Sequence, residues 1–184
     1  MADQALPPYP EFWVRKMRSF FILFDRDGDG IIHKSDYVDT VLNRAKKWMN
    51  EQQIKVFYEL LDGGWETFMK TETPKDTRTF EDMLHARYFM DFDANMEKNA
   101  RDWLGTYFDG VADANGDGHV TLKEYTHFLG SFGVHPFSVT PSFQAIDIDG
   151  SGLITRDEFI ETGTKFLSVM VDTSAKLFWG PFTA

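Results

Sequence analysis

Oxygen-bearing side chains recur at fixed intervals in the segment DRDGDGIIHKSD. Asp25, Asp27 and Asp29 occupy positions 1, 3 and 5 of this segment, and Asp36 closes it at position 12. Position 6 is Gly30, which permits a sharp turn because it has no Cβ. Carboxylates crowded in this way repel one another, whereas hard divalent cations such as Ca²⁺ and Mg²⁺ prefer oxygen ligands. The segment therefore predicts a site for a divalent cation.

Two further segments, DANGDGHVTLKE and DIDGSGLITRDE, repeat the same spacing. Each has oxygen-bearing side chains at positions 1, 3 and 5, a glycine at position 6, a backbone carbonyl available at position 7 and a glutamate at position 12. This arrangement is typical of the calcium loop of an EF-hand, in which position 9 often acts through water. The predicted metal ligands, with the position 7 carbonyls included, are Asp25, Asp27, Asp29, Ile31, Asp36, Asp113, Asn115, Asp117, His119, Thr121, Glu124, Asp147, Asp149, Ser151, Leu153, Thr155 and Glu158.

The charge of the chain is concentrated in these loops. They supply four, three and three carboxylate ligands, which together equal the net charge of −10 carried by the 184 residues. The remainder of the protein is therefore close to neutral. The negative charge argues against a nucleic-acid partner, whose phosphates would repel it. The absence of cysteine excludes disulfides and zinc–thiolate sites.

Helical patterning flanks each loop, because apolar residues recur at spacings of three and four. Around the first loop these residues are Trp13, Met17, Phe20, Phe21 and Phe24, followed by Tyr37, Val38, Val41, Leu42, Ala45 and Trp48. Similar residues lie between the first and second cation loops, but the segment KTETPKDTRT among them has neither the acidic pattern nor the glycine. We therefore expect a second hand that keeps its fold without an ion and pairs with the first.

The expected fold is all-α, with four helix–loop–helix units in two paired lobes packed into one compact body. The N-terminal pair would span residues 1–95, with a metal-competent first hand and a degenerate second hand. The C-terminal pair would span residues 96–184 and include a packed C-terminal tail. Its two loops begin 34 residues apart, at Asp113 and Asp147, which is a normal spacing for paired hands.

The chain resembles the invertebrate sarcoplasmic calcium-binding proteins. The likeness rests on FWVRKMRSFF before the first loop, GGWETF in the degenerate hand, the order of the competent hands and the closing AKLFWGPFTA. The resemblance implies a calcium and magnesium buffer in the cytoplasm of muscle or neurons. It also implies that the C-terminal segment packs into the body.

Asp36 distinguishes the first loop from the other two, which end in glutamate. Aspartate is one methylene shorter, so that contact with both oxygens would require the loop to contract. Magnesium prefers six ligands at short distances, and a single oxygen from position 12 suits it. We therefore expect Ca²⁺ at all three sites and Mg²⁺ competing most strongly at Asp25–Asp36.

Other functions are less well supported by the sequence. A calcium sensor usually has a methionine-rich groove, whereas the eight methionines here are scattered. A photoprotein-like or luciferin-binding-like carrier of an aromatic ligand shares the pattern of three competent hands, but this chain lacks the terminal proline of that family. No phosphate loop, nucleophile elbow or zinc motif predicts an enzyme. We expect a cytoplasmic protein with no membrane span and no required protein target, and the sequence leaves dimerisation open.

Overall fold

Helices and short strands alternate along the chain in the order that EF-hands require. The computed structural model describes residues 9–68, 76–90 and 95–182. The helices are α1 (Glu11–Phe21), α2 (Lys34–Tyr37), α3 (Asp39–Ala45), α4 (Glu51–Phe68), α5 (Phe80–Met90), α6 (Met96–Tyr107), a π-helix (Phe108–Ala112), α7 (Leu122–Ser131), α8 (Pro136–Ile146), α9 (Arg156–Ser168) and a 3₁₀-helix (Ser174–Leu177). The strands are β1 (Ile31–His33), β2 (Thr77–Thr79), β3 (His119–Thr121) and β4 (Leu153–Thr155).

The strands join the helix–loop–helix units into two pairs. β1 lies antiparallel to β2, and β3 lies antiparallel to β4. Each strand is formed by the part of a loop that leads into its second helix, so each two-stranded sheet joins neighbouring hands. The all-α fold of paired hands is confirmed. The lobe boundary between residues 95 and 96 stays a prediction, since the neighbouring residues 91–94 and most of KTETPKDTRT lie outside the described residues.

The predicted apolar face of α1 is buried as its spacing requires. Trp13 is fully buried, and Met17 and Phe21 are 5% and 2% exposed. The helix predicted after the first loop, in contrast, is split into α2 and α3. Val38 separates the two, with φ −99° and ψ −67°.

A single hydrophobic core includes residues from both pairs. α3 of the first hand packs on α7 of the third, and α4 of the second hand packs on α6 and the π-helix. Within the described ranges, no helix is long and apolar enough to cross a membrane.

The third hand enters its loop through the π-helix, which the spacing of apolar residues does not predict. The N–H of Asp113 donates to the carbonyl of Phe108, five residues earlier, at 2.9 Å. In the first and fourth hands the corresponding bonds reach back only four residues, from Asp25 to Phe21 and from Asp147 to Phe143. The turn before Asp113 is therefore wider by one residue than the turns before Asp25 and Asp147. Single π-turns of this kind are frequent at functional sites.

Candidate metal centres

A hydrogen bond from position 6 to position 1 recurs in all three predicted cation loops. In each loop the position 6 glycine has a positive φ of 81–84°, which turns its N–H back toward the start of the loop. That N–H donates to the carboxylate at position 1 and so fixes one of its oxygens. The three bonds are Gly30 to Asp25 at 3.1 Å, Gly118 to Asp113 at 2.8 Å and Gly152 to Asp147 at 3.0 Å.

The first loop brings three carboxylates together. One oxygen each from Asp25, Asp27 and Asp29 lies within 4.8 Å of the others, and Asp36 is not part of this group. The second carboxylate oxygen of Asp25, Oδ1, is buried and has no hydrogen-bond partner within the described structure. A buried, charged oxygen without a donor is costly unless a cation binds it. The residues of this loop therefore fit a hard divalent cation.

The loop of the third hand starts in a more buried position. Asp113 is 7% exposed. One of its oxygens accepts N–H bonds from Gly116 at 2.8 Å and Asp117 at 3.2 Å. Asn115 Oδ1 also accepts from the N–H of Asp117 at 2.8 Å. These bonds hold the side chains at positions 1, 3 and 5 within one turn. The carboxylates of Asp113, Asp117 and Glu124 do not form a group within 4.8 Å of the kind found in the other two cation loops.

The loop of the fourth hand links its first and last ligand positions. Oxygens of Asp147, Asp149 and Glu158 lie within 4.8 Å of one another. Glu158 Oε1 accepts a hydrogen bond from the N–H of Ile148 at 2.9 Å. Hydrogen bonds from the hydroxyl and the backbone of Ser151 hold the pKa of Asp149 below its ordinary value, which keeps the carboxylate in the charged form that a metal requires.

Position 12 is anchored in two cation loops by a capping box. The hydroxyl of Thr121 donates to Glu124 Oε2 at 2.7 Å, and the hydroxyl of Thr155 donates to Glu158 Oε2 at 2.8 Å. In both loops the glutamate N–H also donates back to the threonine hydroxyl.

The first loop has His33 in place of the threonine, and α2 has no side-chain cap. Asp36 is therefore both shorter than the glutamates and without their anchoring threonine.

In the described part of its loop, residues 76–82, the second hand keeps the strand and the helix start of the other hands. Thr79 and Asp82 form reciprocal bonds at 2.9 and 3.1 Å, as in a capping box.

The β1–β2 register sets Ile32 opposite Arg78, whereas the other pair sets Val120 opposite Ile154. Arg78 therefore stands where the other hands have an apolar bridging residue. It is 2% exposed, and no pattern in the sequence predicts a buried cation there.

The remaining predicted ligands lie in their loops as the spacing requires. Ile31, His119 and Leu153 begin the strands β1, β3 and β4. The ion pair of Arg156 with Asp109 was not predicted. It joins the first turn of α9 to the π-helix through two bonds of 2.9 Å.

Paired helix–loop–helix units with oxygen-lined twelve-residue loops define a calcium-binding EF-hand protein. The sequence profile of the EF hand family matches residues 110–129 and 140–161. A sarcoplasmic calcium-binding protein of Perinereis vancaurica tetradentata is 30% identical over 93% of this chain and 98% of its own length. The chain belongs to the sarcoplasmic calcium-binding protein family.

Solved structures show the same fold at lower sequence identity. The calcium-loaded apo form of the coelenterazine-binding protein of Renilla muelleri is 23% identical, with a TM-score of 0.71 over 92% of this chain and 95% of that one. A structure of n-aequorin is 19% identical, with a TM-score of 0.73 over 98% of this chain and all of that one. These matches concern the fold alone.

Proposed function

We propose that the protein is a cytoplasmic calcium and magnesium buffer that holds its ions at residues 25–36, 113–124 and 147–158. The observation that carries this proposal is the burial of Trp179, which is 5% exposed. Its ring lies 5.4 Å from Phe20 of the first hand and 5.0 Å from Phe132, which follows α7. A sensor opens an apolar groove for a target when it binds Ca²⁺. Here the chain's own C-terminal segment fills the space between the hands.

Hydrogen bonds hold that segment in place. The hydroxyl of Tyr125 donates to the carbonyl of Phe178 at 2.6 Å, and the hydroxyl of Ser142 donates to the carbonyl of Leu177. Phe178 is fully buried. Displacing this segment to expose a groove would break these bonds and uncover two aromatic rings. A buffer avoids that cost because it needs no target surface.

Magnesium exchange is proposed chiefly for the first site. Three clustered carboxylates and the unpaired oxygen of Asp25 favour a divalent ion there. Asp36 is shorter than Glu124 or Glu158 and has no threonine that anchors it, so its carboxylate extends less far into the loop. This favours the smaller coordination shell of Mg²⁺. At the other two sites the anchored glutamates are suited to contact with both oxygens and hence to Ca²⁺.

Calorimetric calcium titration of the metal-free protein, with and without Mg²⁺, tests the proposal. We expect three tight sites that Mg²⁺ weakens, and we expect Asp25→Ala, Asp113→Ala and Asp147→Ala each to remove one site. Asp157→Ala is the matched control, because Asp157 is an exposed carboxylate inside the fourth-hand loop but is not a predicted ligand. An unchanged number of sites in any of the three alanine variants would contradict the assignment of that loop.

Two other functions are tested by adding an apolar dye or coelenterazine to the same protein samples. Binding of an apolar dye with Ca²⁺ but not with Mg²⁺ would make the protein a sensor. The fold shared with coelenterazine-binding protein favours an aromatic-ligand carrier as the second candidate. The packed rings in the interior, such as Tyr107 at 6.2 Å from Phe128, oppose it. Tight binding of added coelenterazine, measured by quenching of tryptophan fluorescence, would favour the carrier.

A further inference from the structure

The second hand, which has no calcium pattern of its own, contacts the calcium loop of the third. Gln53 in the first turn of α4 donates from Nε2 to the carbonyl of Ala114 at 3.0 Å. Ala114 is position 2 of the loop that begins at Asp113. A second hydrogen bond determines the orientation of the Gln53 side-chain amide, because Oε1 accepts from the N–H of Asn50 at 3.0 Å. The donor end of the amide therefore faces the loop.

α4 also approaches the segment that enters this loop. A Cβ added at Gly110, in the π-helix, would lie only 2.6 Å from a methyl carbon of Val56. Ala114 is half-buried, whereas the corresponding position 2 residues of the other cation loops, Arg26 and Ile148, are exposed. Among the three cation loops, only the one in the third hand thus has a covered position 2.

We propose that Gln53 is a positioning residue for the cation held by Asp113–Glu124, so that the second hand helps to set the affinity of the third. The bond to the Ala114 carbonyl fixes the peptide group that leads directly into Asn115, a predicted ligand. A preset peptide plane reduces the ordering that binding would otherwise require. This inference rests on the proposed assignment of that loop as a metal site. By linkage, an ion bound in the third hand must in turn stabilise the contact with α4.

Calcium titration followed by NMR separates the sites, because the amides of Gly118 and Gly152 each report one loop. For Gln53→Met we expect Ca²⁺ binding at Gly118 to weaken about threefold to tenfold, the loss of roughly one hydrogen bond, with Gly152 unchanged. In the unaltered protein we expect the side-chain amide signals of Gln53 to shift at the calcium concentration that fills the Gly118 site. A residue with only a packing role would leave those signals unmoved.

Two matched variants separate this contact from the helix cap. Asn50→Ala removes the cap that accepts the Gln53 N–H at 2.9 Å, but it leaves the contact with Ala114 intact. Gln52→Met makes the same substitution as Gln53→Met at an exposed residue of the same helix. We expect both to retain the affinity at Gly118.

Three results would overturn the inference. They are an unchanged affinity at Gly118 in Gln53→Met, an equal loss at Gly118 and Gly152, and an equal loss in Asn50→Ala. Failure of the proposed metal site gives a different result. In that case the Gly118 amide of the unaltered protein would not respond to Ca²⁺ at all.

Discussion

The guanidinium carbon of Arg78 lies 4.4 Å from the centre of the Trp65 ring, and both side chains are buried. Arg78 also donates to the carbonyl of Thr77 at 2.9 Å. Burial lowers the pKa of this guanidinium, and the neighbouring Asp82, Glu66 and Asp76 oppose the shift. The second hand thus places a buried guanidinium opposite Ile32, in the sheet that joins the first two hands.

Shortening Arg78 should therefore destabilise the N-terminal hands. We expect Arg78→Ala to lower the free energy of unfolding by about 2–4 kcal/mol, since it removes a desolvated cation–π contact and leaves a void. Arg78→Met fills most of the space, and replacing a buried charge by an apolar chain is often nearly neutral, so we expect a loss of about 1 kcal/mol or less. Urea unfolding of the metal-free protein measures both. Equal losses in the two variants would show that packing over Trp65 is not the cause.

Position 12 should control ion selectivity at the first site. We expect Asp36→Glu to raise the preference of this site for Ca²⁺ over Mg²⁺ by about tenfold, because glutamate reaches the ion with both oxygens. The reciprocal control is Glu124→Asp, which should shift the third-hand site toward Mg²⁺. Competition titrations followed at the Gly30 and Gly118 amides measure the change. An unaltered selectivity in Asp36→Glu would mean that position 12 does not discriminate between the ions.

Removing the ring of Trp179 should open the interior between the hands. We expect Trp179→Ala to cost about 3–5 kcal/mol of unfolding free energy and to create binding of an apolar dye in the metal-loaded protein. Val171→Ala is the matched control at a residue that is 67% exposed, and it should change stability by about 0.5 kcal/mol or less. If Trp179→Ala binds no dye, another part of the chain covers the same surface.

Alkaline pH should unfold the protein through its buried tyrosines. Burial raises the pKa of Tyr37, Tyr107 and Tyr125 above the ordinary value. An unfolded tyrosine ionises at about pH 10, whereas these three stay neutral in the folded state, so their contribution to stability is complete below pH 10 and is lost as the pH rises further.

The near-ultraviolet absorbance of tyrosinate measures this behaviour. We expect part of the tyrosinate signal to appear only in the step in which the helical circular dichroism disappears. Tyr37→Phe should reduce the size of that step. Ionisation of these residues at a pH where the helices remain intact would contradict the prediction.

The cation loops could be predicted because their geometry is local. The spacing of Asp113, Asn115 and Asp117 and the glycine at position 6 determine where the oxygens lie within a single turn, whatever surrounds the loop. The apolar spacing around the loops determined the flanking helices for the same reason. The loss of the acids in KTETPKDTRT likewise identified a hand without the calcium pattern.

Contacts between distant parts of the chain were decided only by the tertiary structure. The stacking of Arg78 on Trp65, the insertion of Trp179 between the hands and the bond from Gln53 to Ala114 each join residues that are remote from one another or lie in different helices. No spacing rule encodes such pairs, because they form only when the hands pack together. The π-turn before Asp113 is of the same kind, since it brings the backbone of Gly110 against Val56 of another hand. The sequence alone determined which loops have the ligand pattern, and the packing of the hands decided what surrounds each loop.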